Sequence, residues 1–124
     1  MKSVLVVDDS FFMRKLIITY LERHDFTIAG QAENGESAVA QYIEFRPDIV
    51  TLDITMPIMD GLETLKQIIK IDKSARVIMM SSMGQELMVM ESVKSGAKHF
   101  IVKPFKEQTV IDIISEVLES KQET

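Results

Sequence analysis

The sequence predicts a doubly wound α/β domain, and three observations carry that prediction. Short apolar runs of strand length recur along the 124 residues: VLVV (Val4 to Val7), FTIA (Phe26 to Ala29), IVTL (Ile49 to Leu52), VIMM (Val77 to Met80) and FIV (Phe100 to Val102). Between and after them the period changes to the helical one, clearest in Val110, Ile113, Ile114, Val117 and Leu118 and visible in Met13, Leu16, Ile17, Tyr20 and Leu21. Runs one, three and four are apolar at successive positions instead of alternating, as strands must be when helices cover both faces of a parallel sheet.

The punctuation supports each element in turn. The first strand runs into Asp8 and Asp9, and Ser10 offers a hydroxyl to cap the first helix. The second run lies at an outer edge in the expected sheet, and Asn34-Gly35 breaks the chain before the second helix. Pro47 stands just ahead of the third strand, where a missing N–H is tolerated, and Asp60-Gly61 precedes the third helix. Gly96 follows the fourth helix in the position that favours a left-handed residue. The polar tail from Ser120 to Thr124 is expected to fray.

Composition bounds the function. A chain of 124 residues with 46% hydrophobic residues suits one domain with a real core, so residues 1–124 are expected to form a single domain. A formal net charge of -5 offers no general basic surface to nucleic acid or to anionic lipid. The absence of cysteine removes disulfides, thiolate zinc sites and cysteine nucleophiles, and suits a reducing cytoplasm. The opening MKSVLVV is too short an apolar run for a signal peptide, and no stretch approaches membrane-spanning length. The expectation is a soluble, cytoplasmic monomer without membrane insertion.

Polar residues fall at strand ends. Asp8 and Asp9 end strand one, Asp53 ends strand three, Ser81 and Ser82 end strand four, and Lys103 ends strand five. In open parallel sheets ligands bind at that carboxyl edge, where the winding reverses. In a flavodoxin-like order 2-1-3-4-5, strands one and three are neighbours, which gathers Asp8, Asp9 and Asp53. Three carboxylates tolerate such company when a hard cation sits among them, and an oxygen-only set favours Mg²⁺, or Mn²⁺ in its place, over zinc. A carboxylate beside such an ion can attack phosphorus, with Lys103 as second cation and Ser81 as hydroxyl donor to a phosphoryl oxygen. Taken singly these residues read more blandly: an acidic pair as a solvated helix cap, Lys103 as a surface lysine, Phe100 as a core aromatic. The constellation is what promotes them.

The segments VLVVDDS, PDIVTLDITMPIMDGLE, VIMMSSMG and GAKHFIVKPF stand in an order and spacing that resembles the receiver domain of two-component response regulators, most closely the stand-alone chemotaxis regulators of the CheY type. The strand order 2-1-3-4-5 is the one this resemblance implies. It further implies that Asp53 is the phosphoacceptor, that Asp8 and Asp9 hold Mg²⁺ with the backbone carbonyl of Thr55, and that Lys103 is the phosphate partner ahead of a cis Lys103-Pro104 bond. Ser81 and Phe100 would form the switch, while Thr55 and Met83 would tune the lifetime of the phosphoryl group. Ser81 replaces the more frequent threonine and Phe100 the more frequent tyrosine, so hydroxyl and bulk survive while a restricted rotamer and a phenolic hydrogen bond are lost.

The implied partners are a sensor histidine kinase as phosphodonor and an output protein such as a flagellar switch component or a phosphatase, which reads a face made by the fourth helix, fifth strand and fifth helix. Met83, Leu87, Met88 and Met90 are expected around that face, where thioethers suit a surface that repacks, although core packing is an equal claim on them. A phosphorelay intermediate, a phosphate sink and a phosphorylation-independent pseudo-receiver are the alternatives. An aspartyl-nucleophile phosphatase would carry an acid two places after Asp53, where Thr55 stands, so turnover of an external substrate lacks its proton donor. A flavin phosphate loop would meet Asp8 and Asp9, which repel phosphate, and no GxxxxGK[ST] is present for a nucleotide. His24 and His99 are read as surface or partly buried residues outside the transfer chemistry.

Overall fold

The structure is a computed structural model that describes residues 1–120. Strands and helices alternate five times: β1 (Ser3–Val7), α1 (Phe11–Arg23), β2 (Thr27–Ala32), α2 (Gly35–Phe45), β3 (Ile49–Asp53), α3 (Gly61–Ile71), β4 (Val77–Ser81), α4 (Glu86–Lys94), β5 (His99–Val102) and α5 (Glu107–Glu119). The five strands form one parallel sheet in the order β2-β1-β3-β4-β5.

Alternating side chains feed two cores. Leu5, Val7, Val50, Leu52, Val77 and Met79 point toward α2, α3 and α4, where Ala38, Tyr42, Leu65, Ile68 and Val89 meet them. Val4, Val6, Ile49, Ile78, Met80 and Ile101 point the other way, onto Ile17 and Leu21 of α1 and Val110, Ile114 and Val117 of α5. This two-sided burial is why β3 and β4 are buried along their whole length and read as near-continuous apolar runs.

Ser10 caps α1 as expected, and the breaks at Asn34 and Asp60 also supply helix caps. The Ser10, Asn34 and Asp60 side chains accept from the N–H groups of Met13, Ser37 and Glu63 at 3.2, 2.8 and 2.9 Å. At the end of α4 the Gly96 N–H donates to Val93 O and the Ala97 N–H to Ser92 O, which places Gly96 at φ +115 in a Schellman turn.

Three expectations are corrected. The second strand runs from Thr27 to Ala32 instead of Phe26 to Ala29, because pairing with β1 shifts register between Ile28 and Gly30 and carries the strand on through Gly30 and Gln31, which lack an apolar signature. Phe100 is 39% exposed and so is no core aromatic. Met88 packs against the first core, whereas Met83, Leu87 and Met90 stand exposed, so Met88 does not share their face. The expected fraying beyond Ser120 lies outside the described residues.

Candidate functional site

The carboxyl edge of the sheet gathers the charged residues. Ligand oxygens of Asp8, Asp9 and Asp53 lie within 4.8 Å of one another, with Asp8 and Asp53 buried and Asp9 exposed. Lys103 reaches in from the end of β5, its Nζ 3.1 Å from Asp8 Oδ2 and 3.2 Å from Asp53 Oδ1. The lysine follows directly from β5 and precedes a cis peptide bond to Pro104. Its own N–H donates to Ser81 O at 2.7 Å, which ties the ends of β4 and β5 together beside the site.

Backbone bonds hold the carboxylates in place. The Asp8 N–H donates to Ala32 O at 3.0 Å, and Asp8 Oδ1 accepts from the Ser10 N–H at 2.9 Å. Arg14, which sequence reasoning missed, is buried on α1 and donates through Nη1 to Asp8 O at 2.7 Å and through Nε to Gln31 Oε1 at 2.9 Å. It braces the β1–α1 corner. The available signal was its spacing, three residues before Ile17 and seven before Leu21 on the buried stripe of α1. The Asp53 side is braced by Gly61, whose N–H donates to Ile54 O at 2.7 Å as α3 starts hard against the end of β3.

Electrostatics sets the Asp53 carboxyl apart. Burial, then repulsion from Asp8, outweigh the attraction and hydrogen bond of Lys103 and push it up to about 6, with Asp9 adding to the rise. Burial alone would lower Lys103, but Asp53 and Asp8 together hold it above the usual lysine value. The sign for stability follows from the raised carboxyl: the folded chain holds a proton that the unfolded chain releases between about pH 4 and pH 6, so stability falls as pH rises through that window. In metal-free buffer Asp53→Asn is therefore expected to stabilise the fold at pH 7 by up to about 3 kcal/mol, with the gain gone below about pH 4. Urea unfolding of both proteins in chelator across pH 4 to 8 measures it, and a pH-independent difference would contradict it.

The donor set fits a hard divalent cation. It is all oxygen, its three carboxylates converge although they repel, and among the described residues no imidazole or thiolate joins them to favour a softer metal. Among the other expected site residues, Ser81 is buried at the last position of β4. Thr55 is exposed two residues past Asp53, and its hydroxyl accepts a 2.6 Å hydrogen bond from Gln85, a second residue that the sequence did not single out. Met83 is exposed after β4 and borders, with Ser81, Val89, Met90, Phe100 and Val102, an apolar cavity of about 490 Å³ between α4 and β5. His24 and His99 pair with Glu107 and Glu116 of α5 at 3.0 and 3.2 Å. No helix among the described residues is long and apolar enough to cross a membrane.

A parallel sheet of this order with an acidic cluster and a lysine at its carboxyl edge defines a class, and residues 4–115 match the response regulator receiver domain. The chain belongs to that family. It is 54% identical over 114 residues to the chemotaxis protein CheY of Listeria monocytogenes, covering 92% of this chain and 96% of that protein. It is 48% identical over 116 residues to CheY of Thermotoga maritima, covering 94% and 97%. Among solved structures it resembles the CheX-CheY-BeF3-Mg²⁺ complex of Borrelia burgdorferi, with a TM-score of 0.92 and 43% identity over 96% of this chain and 90% of that one. Similarity of this extent places the chain among receivers of the CheY type.

Proposed function

We propose that this protein is a single-domain response regulator that accepts a phosphoryl group on Asp53 from a phosphohistidine of a sensor kinase and signals through its α4-β5-α5 face, in chemotaxis or flagellar motor control. The observation that carries this reading is the convergence of Asp8, Asp9 and Asp53 within 4.8 Å, answered by Lys103 at 3.2 Å from Asp53. The CheY relatives and the Borrelia complex of CheY with CheX, BeF3 and Mg²⁺ support the pathway and the metal.

Asp8 and Asp9 would hold Mg²⁺, or Mn²⁺, with Asp53 and the Thr55 carbonyl. Bound there, the ion would neutralise charge on the transferring oxygens. An Asp53 carboxylate oxygen attacks phosphorus, the bond to the donor nitrogen breaks, and that nitrogen keeps the electron pair. Lys103 Nζ lies where it can pair with a phosphoryl oxygen once the carboxylate is esterified, and the buried Ser81 hydroxyl is the neighbouring donor. Water later attacks the phosphorus and returns the free carboxylate, under the influence of Thr55 and Met83 at the rim. The new dianion draws Ser81 inward, and the outward Phe100 turns into the cavity of about 490 Å³ behind it. A phosphatase or a flagellar switch component then reads the altered face, and the protein works as a cytoplasmic monomer.

Intact mass after incubation with acetyl phosphate tests the reading. One added phosphoryl group that requires Mg²⁺ and is missing from Asp53→Asn is expected. No gain from acetyl phosphate or from a kinase would leave a pseudo-receiver that binds partners without modification.

A further inference from the structure

Gln85 occupies the N-cap position of α4, yet its side chain makes no capping bond. Ser, Thr, Asp and Asn cap helices well because their short side chains place an oxygen to accept from the first-turn N–H groups, and the longer carboxamide here is spent elsewhere. Its Nε2 donates to Thr55 Oγ1 at 2.6 Å, and its Oε1 accepts from the Ser82 N–H at 2.7 Å. One side chain thus joins the loop after β3, which follows Asp53, to the loop after β4, which follows Ser81. Between Ser82 and Gln85 the chain bows into solvent: Met83 is exposed, and Gly84 sits at φ +92 with no atom within 4 Å of where a Cβ would be. Behind the same loop, Ser81, Ser82 and Met83 border the cavity of about 490 Å³ that Phe100 leaves empty.

We infer that Gln85 is a positioning residue, a latch whose paired bonds to Thr55 and Ser82 hold the rim of the site in its unphosphorylated arrangement. The inference rests on Asp53 being the phosphoacceptor. Where the end of β4 shifts to bring the Ser81 hydroxyl toward a group on Asp53, the adjoining Ser82 backbone moves with it, and its N–H is held by Gln85. Apart from a long Gly84 N–H bond to Glu86 Oε1 at 3.4 Å, the loop has a glycine in open space and an α4 whose N-cap side chain makes no capping bond. By linkage, a contact present only in the unphosphorylated arrangement weakens binding of any ligand that favours the other, and its removal returns that affinity.

The test is titration of beryllium fluoride with Mg²⁺, an inorganic mimic of the phosphoryl group, followed by amide NMR shifts in wild type, Gln85→Ala, Thr55→Val and the double variant. Loss of one or two modest hydrogen bonds predicts apparent affinity about three- to tenfold tighter in Gln85→Ala. Thr55→Val is expected to tighten binding less, and to add nothing once Gln85 is gone, because the two residues act through one bond. Urea unfolding on the same samples separates this from a merely structural role, which would move the unfolding midpoint and leave the affinity of the folded protein alone. Unchanged or weaker binding in Gln85→Ala, or additive effects in the double variant, would overturn the latch while leaving the phosphoacceptor in place. Wild-type protein that takes up no beryllium fluoride would remove the phosphoacceptor and the latch with it.

Discussion

Lys103→Met is expected to slow transfer from acetyl phosphate to Asp53 by about 10²-fold or more, the usual consequence of removing one preorganised donor from developing charge. Methionine keeps the unbranched stem that fits beside the sheet edge and discards the charge alone. Two losses combine. The phosphoryl oxygens lose the ammonium that stands 3.2 Å from Asp53 Oδ1, and the Asp53–Asp8 repulsion loses the cation that opposes it. The second loss carries Asp53 further above about 6, so less of it is ionised at neutral pH. Part of the rate deficit is therefore expected to return at alkaline pH. Initial rates by intact mass between pH 6 and pH 9 distinguish the two losses: a flat, uniformly low profile leaves only the phosphoryl contact, and a wild-type rate removes Lys103 from the reaction.

Gly61→Ala is expected to destabilise the fold by about 2–4 kcal/mol, at the upper end for overpacking a tight site. A Cβ at this position would collide with the Asp53 carbonyl oxygen and stand 2.7 Å from Ile54 Cα. Both are backbone atoms, so neither can turn aside as the tip of a side chain could. The start of α3 or the end of β3 has to move, and the end of β3 carries Asp53, the proposed phosphoacceptor. Stability and phosphorylation should fall together in this variant. Urea unfolding gives the first, and the rate with acetyl phosphate, measured where the variant is fully folded, gives the second. Wild-type behaviour in both would mean that the β3–α3 corner yields more easily than its packing indicates.

The parts of the fold that two-sided burial dictates were legible in the sequence, and the parts that depend on one-sided packing were less so. β1, β3 and β4 announced themselves because helices cover both of their faces and apolar residues fill most successive positions. β2 sits at the edge, so Gly30 and Gln31 could pair with β1 without leaving an apolar trace, and its end was misplaced. The acidic rim was legible because like charges at adjacent strand ends demand an answering cation, and Lys103 supplies one in the structure. Arg14 was not read as a brace because an arginine on an amphipathic helix usually faces water, whereas here it meets the Asp8 carbonyl. The orientation of Phe100 follows from the space between α4 and β5, and Gln85 from the meeting of two loops. Neither is a local property of the chain.

Asp53 is proposed to carry the phosphoryl group, and the most direct measurement reads the position of that group. An aspartyl phosphate is an acyl phosphate, which borohydride reduces to homoserine, while the free carboxylates of Asp8 and Asp9 stay untouched. After incubation with acetyl phosphate and Mg²⁺, peptide mass spectrometry is predicted to find homoserine in place of Asp53 and nowhere else. Homoserine at Asp8 or Asp9, or a phosphorylated protein that yields none, would contradict the account.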